Sequence, residues 1–245
     1  VTVDADAGLC TAALSGVDLG TTPSGADNCS VSLVAHNAPT TFPLGATTVT
    51  WTVTDGSNNT ATATQVVTVV DNINPTITAP AAVTVDADAG LCTTALSNVT
   101  LGSATTDDNC SVAGTTNDAP ATFPLGATTV TWTVTDGSGL TATATQVVTV
   151  EDNINPVAIT QDITVNLDAN GSATITASQI DNSSTDNCSI STYALDVTTF
   201  TCSDLGANTV NLTVTDAAGN TNTTSATVTV VDNINPTITA PAAVT

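Results

Sequence analysis

The feature that most constrains this chain is an internal repeat of about 81 residues. The pentapeptide DNINP occurs at Asp71, Asp152 and Asp232, so that successive copies are 81 and 80 residues apart. A fixed period of this kind is typical of tandem arrays, in which each repeat is one structural unit. We therefore expect three domains, at residues 1–70, 71–151 and 152–231, and the start of a further repeat at 232–245.

Both ends of the sequence fall at the same point of the repeat. The chain opens with VT and closes with VT in the segment VDNINPTITAPAAVT. This phase indicates a window from a longer array, or a chain whose tail completes a neighbouring subunit. In either case a domain without the segment NPTITAPAAVT would leave an open sheet edge, which natural sheets avoid. We expect that segment to precede Val1, so that copies of the repeat associate head to tail.

The alternation of Thr with Val, Trp and Leu predicts β-strands. TTVTWTVTD occurs at residues 47–55 and 128–136, and NTVNLTVTD at 208–216. Period-two alternation is the pattern of a half-buried strand. A turn and a second alternating run follow each copy, which predicts one hairpin per repeat, while the proline in PTITAPAAVTVDA favours an edge strand. About seven strands per repeat predict an all-β array of immunoglobulin-like sandwiches with no helix.

The charge balance excludes several classes of partner. The sequence has no Lys or Arg and 22 acidic residues, for a net charge of −22. Nucleic-acid binding requires cationic side chains, and an anionic membrane surface would repel this chain. Its 41% hydrophobic residues are too many for a disordered acidic tail, and no apolar run approaches the roughly 20 residues of a membrane span. We expect neither a nucleic-acid partner nor membrane insertion in this segment.

The six cysteines are distributed two to a repeat. An even pair per repeat predicts one disulfide within each domain, and hence export to an oxidising, extracellular compartment. The expected bridges are Cys10–Cys29, Cys92–Cys110 and Cys188–Cys202. A zinc site would need more cysteine or histidine ligands, and His36 is the only histidine.

The order of motifs resembles the hyalin repeat (HYR) family over essentially the whole chain. These motifs are P-x-I-x-x-P, a cysteine followed by DNCS, FPLGATTVTWTVTD, a glycine-containing turn and TATATQVVTV. The third repeat departs from the pattern, because it lacks GLC and FPLG and has a cysteine at Cys202. The Thr- and Asn-rich DNINP array also resembles repeats of the giant SprB-type cell-surface adhesins of gliding flavobacteria. These resemblances imply an extracellular adhesion or spacer module without catalysis.

The predicted topology gathers acidic and amide side chains at each junction between repeats. A sandwich that is entered at one pole and left at the other brings the DADAG turn of one repeat near the DNC loop and the TDG turn of the next. For the first junction the candidate ligands are Asp4, Asp6, Asp71, Asn72, Asn74, Asp107, Asp108, Asn109 and Asp136. For the second they are Asp86, Asp88, Asp152, Asn153, Asn155, Asp186, Asn187 and Asp216.

Two interpretations of these acids remain open. Calcium takes six to eight oxygen ligands of these types, and DNINP is similar to the Pro-terminated linker of cadherins, although it lacks that linker's second Asp. The alternative is that Asp, Asn and Gly are simply good turn formers. Calcium at the joints is the only cofactor that we expect.

Two classes of function fit the sequence. The first is a structural stalk of a surface adhesin or filament, and the second is a module that binds polysaccharide or another surface ligand through exposed Thr and Asn faces. The scarcity of aromatic residues counts against sugar stacking, and the deviant third repeat, around Tyr193 and Asp196, is the best place for a specific site. We do not expect an enzyme, because the single histidine, His36, occurs in one repeat only, the cysteines are expected to be oxidised, and a small sandwich offers no large pocket.

Overall fold

The computed structural model describes residues 1–239, and the regular secondary structure of this part is almost entirely β-strand, which confirms the all-β prediction. The end of the expected further repeat lies outside the described residues. The expectation of no helix is wrong at one place, where a single helical turn, α1, spans Ala177–Ile180. The N–H of Thr176 donates to Oε1 of Gln179 at 2.8 Å, one arm of a capping box that favours a helix start.

Each repeat contributes a similar set of strands. Those of repeat 1 are β1 (Thr2–Asp4), β2 (Thr11–Ala13), β3 (Val31–His36), β4 (Thr41–Pro43), β5 (Gly45–Asp55) and β6 (Thr60–Val70). Those of repeat 2 are β7 (Thr76–Thr78), β8 (Val83–Asp86), β9 (Thr93–Ala95), β10 (Thr105–Asp107), β11 (Val112–Asn117), β12 (Thr122–Pro124), β13 (Gly126–Asp136) and β14 (Thr141–Glu151). Those of repeat 3 are β15 (Ile163–Asn166), β16 (Ser172–Thr174), β17 (Ile190–Leu195), β18 (Thr199–Thr201), β19 (Gly206–Asp216) and β20 (Thr221–Val231). Short 3-10 turns lie at Leu14–Gly16, Leu96–Asn98 and Cys202–Asp204.

The larger sheet of each repeat has four strands, in the orders β1-β6-β5-β3, β8-β14-β13-β11 and β15-β20-β19-β17. Its centre is the predicted hairpin, which in repeat 1 pairs β5 with β6 from Gly45↔Val69 to Thr54↔Thr60. Within each repeat, the strand of this sheet that comes first along the chain runs parallel to its neighbour, which comes last along the chain. In repeat 1 these strands are β1 and β6, with Thr2 opposite Thr68. The outermost positions in every sheet are the short strands, so the long hairpin is protected on both sides.

The smaller sheets pair β2 with β4, β9 with β12, β16 with β18 and β7 with β10. The proline-containing segment is divided between the two kinds of sheet, because β7 joins β10 whereas β8 joins β14. Pro80 lies between β7 and β8, and its missing N–H prevents either ladder from continuing through it. The predicted edge position is confirmed for β8, which has a hydrogen-bonded neighbour on one side only.

The core of each repeat lies on the inward face of the alternating strands. In repeat 1 a buried cluster joins Val49, Trp51 and Val67 of the larger sheet to Ala12 and Phe42 of the smaller sheet. The corresponding cluster of repeat 3 contains Ile175, Ile180, Phe200, Val210, Leu212, Val214 and Val228. The buried apolar residues of repeat 2 include Phe123, Val130, Trp132, Val134 and Val148. Each repeat is therefore sandwich-like, with a thin core of aliphatic side chains, several of them Val, and one Phe.

The structure divides into two compact units, and both take segments of the middle repeat. The first comprises Val1–Ala82, Leu101–Ala119 and Thr129–Val147, and the second comprises Val83–Thr100, Pro120–Thr128 and the chain from Val148 onward. The domain boundaries near Asp71 and Asp152 therefore stay a prediction. Among residues 1–239 no helix has the length and the hydropathy that crossing a bilayer requires.

Candidate cation sites at the repeat junctions

The alternation that buries the core side chains also turns aspartates at the ends of the strands inward. On β13 the inward positions continue from Val134, which is fully buried, to Asp136, which is only 1% exposed. After β6 they continue from Val69 to Asp71, which is 6% exposed. Because side chains of a strand alternate between its two faces, a carboxylate two residues beyond the last core valine must also point inward.

A tight turn supplies a third carboxylate. In the DNCS loop, Oδ2 of Asp108 accepts hydrogen bonds from the N–H groups of Cys110 at 2.9 Å and Ser111 at 2.8 Å. This is the local bonding by which aspartate favours turns. It uses one oxygen only, and Oδ1 of Asp108 is buried without a hydrogen-bond partner.

Three of the predicted residues converge at the first junction. Carboxylate oxygens of Asp71, Asp108 and Asp136 lie within 4.8 Å of one another. Asn109 lies beside them and donates from Nδ2 to Oδ1 of Asp71 at 3.2 Å. Oδ2 of Asp136 and Oδ1 of Asn109 are buried without partners, like Oδ1 of Asp108. We call these four residues cluster 1, and three unsatisfied oxygens within it are the atoms that a cation would bind.

The same arrangement occurs at the second junction, where Asp152, Asp186, Asp216 and Asn187 form cluster 2. Its buried oxygens without partners are Oδ2 of Asp152, Oδ1 of Asp186 and Oδ1 of Asn187. Sequence reasoning missed Asn220, which donates from Nδ2 to Oδ2 of Asp216 at 2.8 Å and to the carbonyl of Asp152 at 2.9 Å. Its place at the end of the DAAGN turn, four residues after Asp216, is the sequence feature that could have predicted this contact.

Each cluster concentrates three carboxylates, and the sequence contains no Lys or Arg that could compensate them. Two like charges about 4 Å apart repel each other by roughly 4 kcal/mol at an effective dielectric constant of 20. Buried polar atoms without hydrogen bonds add a further cost. A donor set made only of carboxylate and amide oxygens is the set that calcium and other hard cations prefer. The residues present therefore fit a calcium ion.

The remaining candidate ligands lie outside the two clusters, and most of them take part in other hydrogen bonds. Asn72 donates to Asp4 at 2.6 Å, and Asn153 donates to Asp86 at 2.8 Å. The other acids accept backbone N–H groups: Asp6 from Ala13, Asp88 from Ala95 and Asp107 from Asp108. Asn74 and Asn155 are exposed beside the linker prolines. Side chains that are exposed or hydrogen-bonded elsewhere thus need no cation, whereas buried oxygens of the clustered residues have no hydrogen-bond partner.

The predicted disulfide pairing within each repeat is wrong. The structure bonds Cys10 to Cys110 and Cys92 to Cys188, so each bridge joins consecutive repeats, and it leaves Cys29 and Cys202 as exposed free thiols. The repeat itself explains the error, because its two cysteines lie at opposite ends of the long hairpin.

In repeat 1 the turn that carries Cys10 lies at the Val69 end of the β5–β6 hairpin, since the N–H of Ala5 donates to the carbonyl of Val70. Cys29 precedes β3, whose first residue is opposite Asp55 at the other end. Eleven residues of strand separate these ends by roughly 30 Å. A disulfide needs Cα atoms within about 7 Å, so the two cannot bond.

The interrepeat bridges lie directly beside the clusters. Nδ2 of Asn109 approaches Sγ of Cys110 at 3.3 Å and the carbonyl oxygen of Leu9 at 3.1 Å. Asn187 makes the same contacts to Cys188 and to the carbonyl of Leu91, at 3.4 and 3.2 Å. One asparagine in each junction therefore connects the carboxylates to the disulfide. The bridge and the candidate cation site constrain the same few residues.

Outside the clusters, three carboxyl groups have pKa values below the usual range. Hydrogen bonds from the side chain and backbone of Asn59 lower the pKa of Asp55. The N–H groups of Ser172 and Asn170 lower the pKa of Asp168, and the N–H of Asn211 lowers that of Asp196. These bonds favour the charged carboxylate.

No protein-family model and no curated protein sequence matches this chain, so the resemblance to hyalin repeats and to SprB-type adhesins is not confirmed. Among solved structures, the protocadherin gammaB4 extracellular domain aligns with a TM-score of 0.38 and 15% identity, over 84% of this chain and 42% of that one. The protocadherin gammaB7 EC3–6 cis-dimer structure gives 0.36 and 14%, over 86% and 66%. Human mucin-like protocadherin EC1–2 gives 0.37 and 15%, over 64% and 98%. This chain thus spans less than half of the gammaB4 chain, and similarity at these scores implies nothing about ligands or partners.

Proposed function

We propose that this chain is a structural repeat segment of an extracellular adhesin or surface filament, with junctions that are held by disulfides and by calcium. The observation that supports it is the convergence, at two junctions, of three carboxylates and three buried oxygens that lack hydrogen bonds. The repetition of the same arrangement favours a structural role, because a specific binding site needs to occur only once.

In this proposal calcium supplies the positive charge that the sequence lacks. Cluster 1 takes Asp71 from the linker, Asp108 from the DNCS loop and Asp136 from the end of β13. A cation bound by all three would tie the linker to two separate parts of repeat 2, and the Cys10–Cys110 bridge joins repeat 2 to repeat 1. Such a junction resists bending because several covalent and ionic constraints act on the same short segment.

The same chemistry supports an extracellular location, which we propose to be the cell surface. Disulfides persist in oxidising compartments, and millimolar calcium is the concentration range in which extracellular modules bind this ion. The absence of Lys and Arg leaves trypsin-like proteases no cleavage site, which suits an exposed stalk. We propose no catalytic role, and the partners are further copies of the same repeat arranged head to tail.

The test is calorimetric titration of the chelator-treated chain with calcium, together with thermal unfolding in calcium and in chelator. We expect at least two bound ions per chain, one for each cluster. At a calcium concentration 100 times the Kd, binding to the folded state alone stabilises it by about 2.7 kcal/mol per site. Absence of binding heat and equal melting temperatures in both buffers would remove calcium from the proposal.

A second candidate function is the binding of polysaccharide by repeat 3. Tyr193 is 42% exposed and borders an open depression of about 460 Å³ that Ala177, Ser178 and Asp181 also line. The carboxylate of Asp196, by contrast, accepts hydrogen bonds from the backbone N–H and from Nδ2 of Asn211. A glycan array probed with wild-type chain and Tyr193→Ala would support this function only if binding were present and lost in the variant.

A further inference from the structure

The loop that carries the free Cys29 is folded like the loops that carry bonded cysteines. Oδ2 of Asp27 accepts hydrogen bonds from the N–H groups of Cys29 at 2.9 Å and Ser30 at 3.1 Å. Asp108 makes the same pair of bonds, to Cys110 and the serine after it. The Cys29 loop therefore has the conformation in which Cys110 forms a disulfide with a cysteine of the preceding repeat.

The free Cys202 lies at the position that the other cysteine of such a bridge occupies in repeats 1 and 2. Its Sγ lies 3.8 Å from the carbonyl oxygen of Gly171, in a turn at residues 168–172. That turn is the counterpart of residues 6–11, which carry Cys10, and in both the N–H of the first residue donates to the carbonyl of the last at 2.8 Å. The turn in repeat 3 is one residue shorter and has no cysteine of its own. Cys202 brings a thiol to the same place from the neighbouring strand, just after β18.

Repeat 1 also has an open groove. At the corresponding place in repeat 2 lies β7. In repeat 2, β7 pairs with β10, and Val134 is fully buried. The counterpart of β10 in repeat 1 is residues 24–26, which pair with no strand within the described part of the chain. The counterpart of Val134 there is Val53, which is only half-buried. It lines a groove of about 150 Å³ together with Gly25 and Trp51.

The segment that would fill this groove is present at the other end of the described chain. Residues 237–239 are Thr-Ile-Thr, the same sequence as β7, and Ile238 is 97% exposed. Its counterpart in β7, Ile77, is half-buried. An exposed isoleucine and an uncovered groove that its counterpart would occupy are complementary apolar surfaces.

Repeat 1 and the segment at residues 232–239 also carry counterparts of the three carboxylates of cluster 1. Asp232 is the counterpart of Asp71 but is exposed, where Asp71 is 6% exposed. Asp27 and Asp55 are the counterparts in repeat 1 of Asp108 and Asp136. Asp55 is half-buried, whereas Asp136 is 1% exposed. The three groups would come together if the segment that begins at Asp232 lay against repeat 1 of another molecule.

We propose that residues 232–239 of one copy of this chain dock on repeat 1 of a second copy, and that a disulfide between Cys202 of the first and Cys29 of the second closes this joint. Residues 237–239 pair with residues 24–26, in the register of β7 with β10. Asp232 joins Asp27 and Asp55. This inference rests on the proposed function for its cation site, but its covalent bond does not require calcium.

Bond formation needs an oxidant, for which oxidised glutathione serves. The thiolate of Cys29 attacks one sulfur of glutathione disulfide, forms a mixed disulfide and releases one glutathione thiolate. The thiolate of Cys202 then attacks the Cys29 sulfur, forms the interchain disulfide and releases the second glutathione. Two protein thiols are oxidised, one glutathione disulfide is reduced, and the two thiol protons end on the glutathione products.

The test is incubation of the chain in a glutathione redox buffer, followed by denaturing electrophoresis without reductant. We expect wild-type chain to form a ladder of covalent oligomers. Cys29→Ser and Cys202→Ser should each stay monomeric alone, and their equimolar mixture should stop at a dimer. Cleavage of that dimer at acidic residues and mass spectrometry should identify a Cys202–Cys29 peptide. Dimers formed equally well by either variant alone, an intramolecular Cys29–Cys202 bridge, or wild-type chain that stays monomeric would overturn the proposal.

A second pair of variants tests docking. Ile238→Asp places a charge on the segment that enters the groove, and it cannot disturb the fold of the monomer because Ile238 is 97% exposed. We expect it to slow dimer formation in the mixing experiment at least tenfold. Val147→Asp makes the same kind of change at an exposed site in repeat 2 and should leave the rate unchanged. Equal rates for the two would show that the thiols react without docking.

The same experiment in chelator separates this inference from the calcium proposal. If calcium binds, we expect dimers in both buffers and faster formation with calcium, because Asp232, Asp27 and Asp55 repel one another without it. Dimers that form equally in both buffers would contradict the cation site and leave the covalent joint standing. Calcium binding to the clusters without any covalent dimer would contradict the joint and leave the proposed function standing.

Discussion

Cys10 of repeat 1 is bonded to Cys110 of repeat 2, a residue 100 positions further along the chain, with their Cα atoms 4.6 Å apart. The second bridge, Cys92–Cys188, spans 96 positions in the same way. Cystines in this chain therefore join neighbouring repeats instead of closing single ones. The consequence is that a repeat separated from its neighbours loses its covalent constraint.

The first prediction concerns this bridge. Replacing both Cys10 and Cys110 by Ser should lower the free energy of unfolding by about 4.7 kcal/mol, the loop-entropy value for a 100-residue loop. The matched control replaces Cys29 and Cys202 by Ser and should change the stability of the monomer by no more than about 0.5 kcal/mol. Urea unfolding of both double variants, without reductant, measures the difference. Similar losses in the two would place the stabilising bridge elsewhere.

The second prediction concerns cluster 1. Asp136→Asn removes a ligand charge and should weaken calcium binding at this junction by about 10- to 100-fold or more, the loss that even outer-sphere changes cause. Asp107→Asn removes the same charge at an exposed position outside the cluster, where water reduces its effect, and it should weaken binding much less than Asp136→Asn does. Calorimetric titration distinguishes them. Equal weakening by both would mean that only the general negative charge attracts the ion.

The third prediction is that salt stabilises the chain in chelator. Without a bound cation the three carboxylates of each cluster repel one another, and the whole chain carries a net charge of −22. Raising sodium chloride shortens the screening length, which is about 10 Å at 0.1 M. Melting temperature should therefore rise with salt in chelator and change much less in saturating calcium. A melting temperature in chelator that does not depend on salt would contradict the repulsion.

The fourth prediction concerns a buried glutamine. Gln146 is 2% exposed, accepts from Nε1 of Trp132 at 3.1 Å, and donates to the carbonyls of Ala81 at 2.8 Å and Leu101 at 2.9 Å. Gln146→Ala leaves all three groups without their partner, and each buried orphan costs roughly 1 to 3 kcal/mol. We expect a loss of about 3 kcal/mol or more in urea unfolding.

The control for this variant is Gln65→Ala in repeat 1. Gln65 is half-buried and has two such bonds, one to Trp51 and one to the carbonyl of Leu19. Gln65→Ala should lower the free energy of unfolding by less than Gln146→Ala does, because water can reach the groups that lose their hydrogen bonds. Repeat 3 has Leu212 and Ala226 in place of the Trp–Gln pair, both of them buried. Adding Trp132→Leu to Gln146→Ala should therefore recover part of the stability, and a further loss would contradict this explanation.

Local chemistry was sufficient to predict the strands and the repeat. The alternation in TTVTWTVTD has one period, and the buried and half-buried positions of β13 follow it from Val130 to Asp136. The turn residues that end this strand are equally local, because Oδ1 of Asp136 accepts N–H groups only two and four residues away. The helical turn at Ala177–Ile180 was missed because four residues are too few for a helical period to appear.

Which carboxylates meet was predictable only in part. The expected topology correctly brought Asp71, Asp108 and Asp136 to one junction, since each lies at the end of a predicted strand or loop. It also included Asp6, whose carboxylate instead accepts the N–H of Ala13. Composition and strand order define the neighbourhood of an acid. They do not say whether its oxygens point into a cluster or back to its own turn.

The sequence by itself determined the period, the strands, the acidic character and the even number of cysteines. Tertiary structure alone decided the partner of each cysteine. Cys10 is 19 positions from Cys29 and 100 from Cys110, yet the long hairpin holds the nearer pair at opposite ends and the fold brings the distant pair together. Separation along the chain sets the entropy of closing a loop. Only the folded backbone sets whether two sulfur atoms can come within bonding distance.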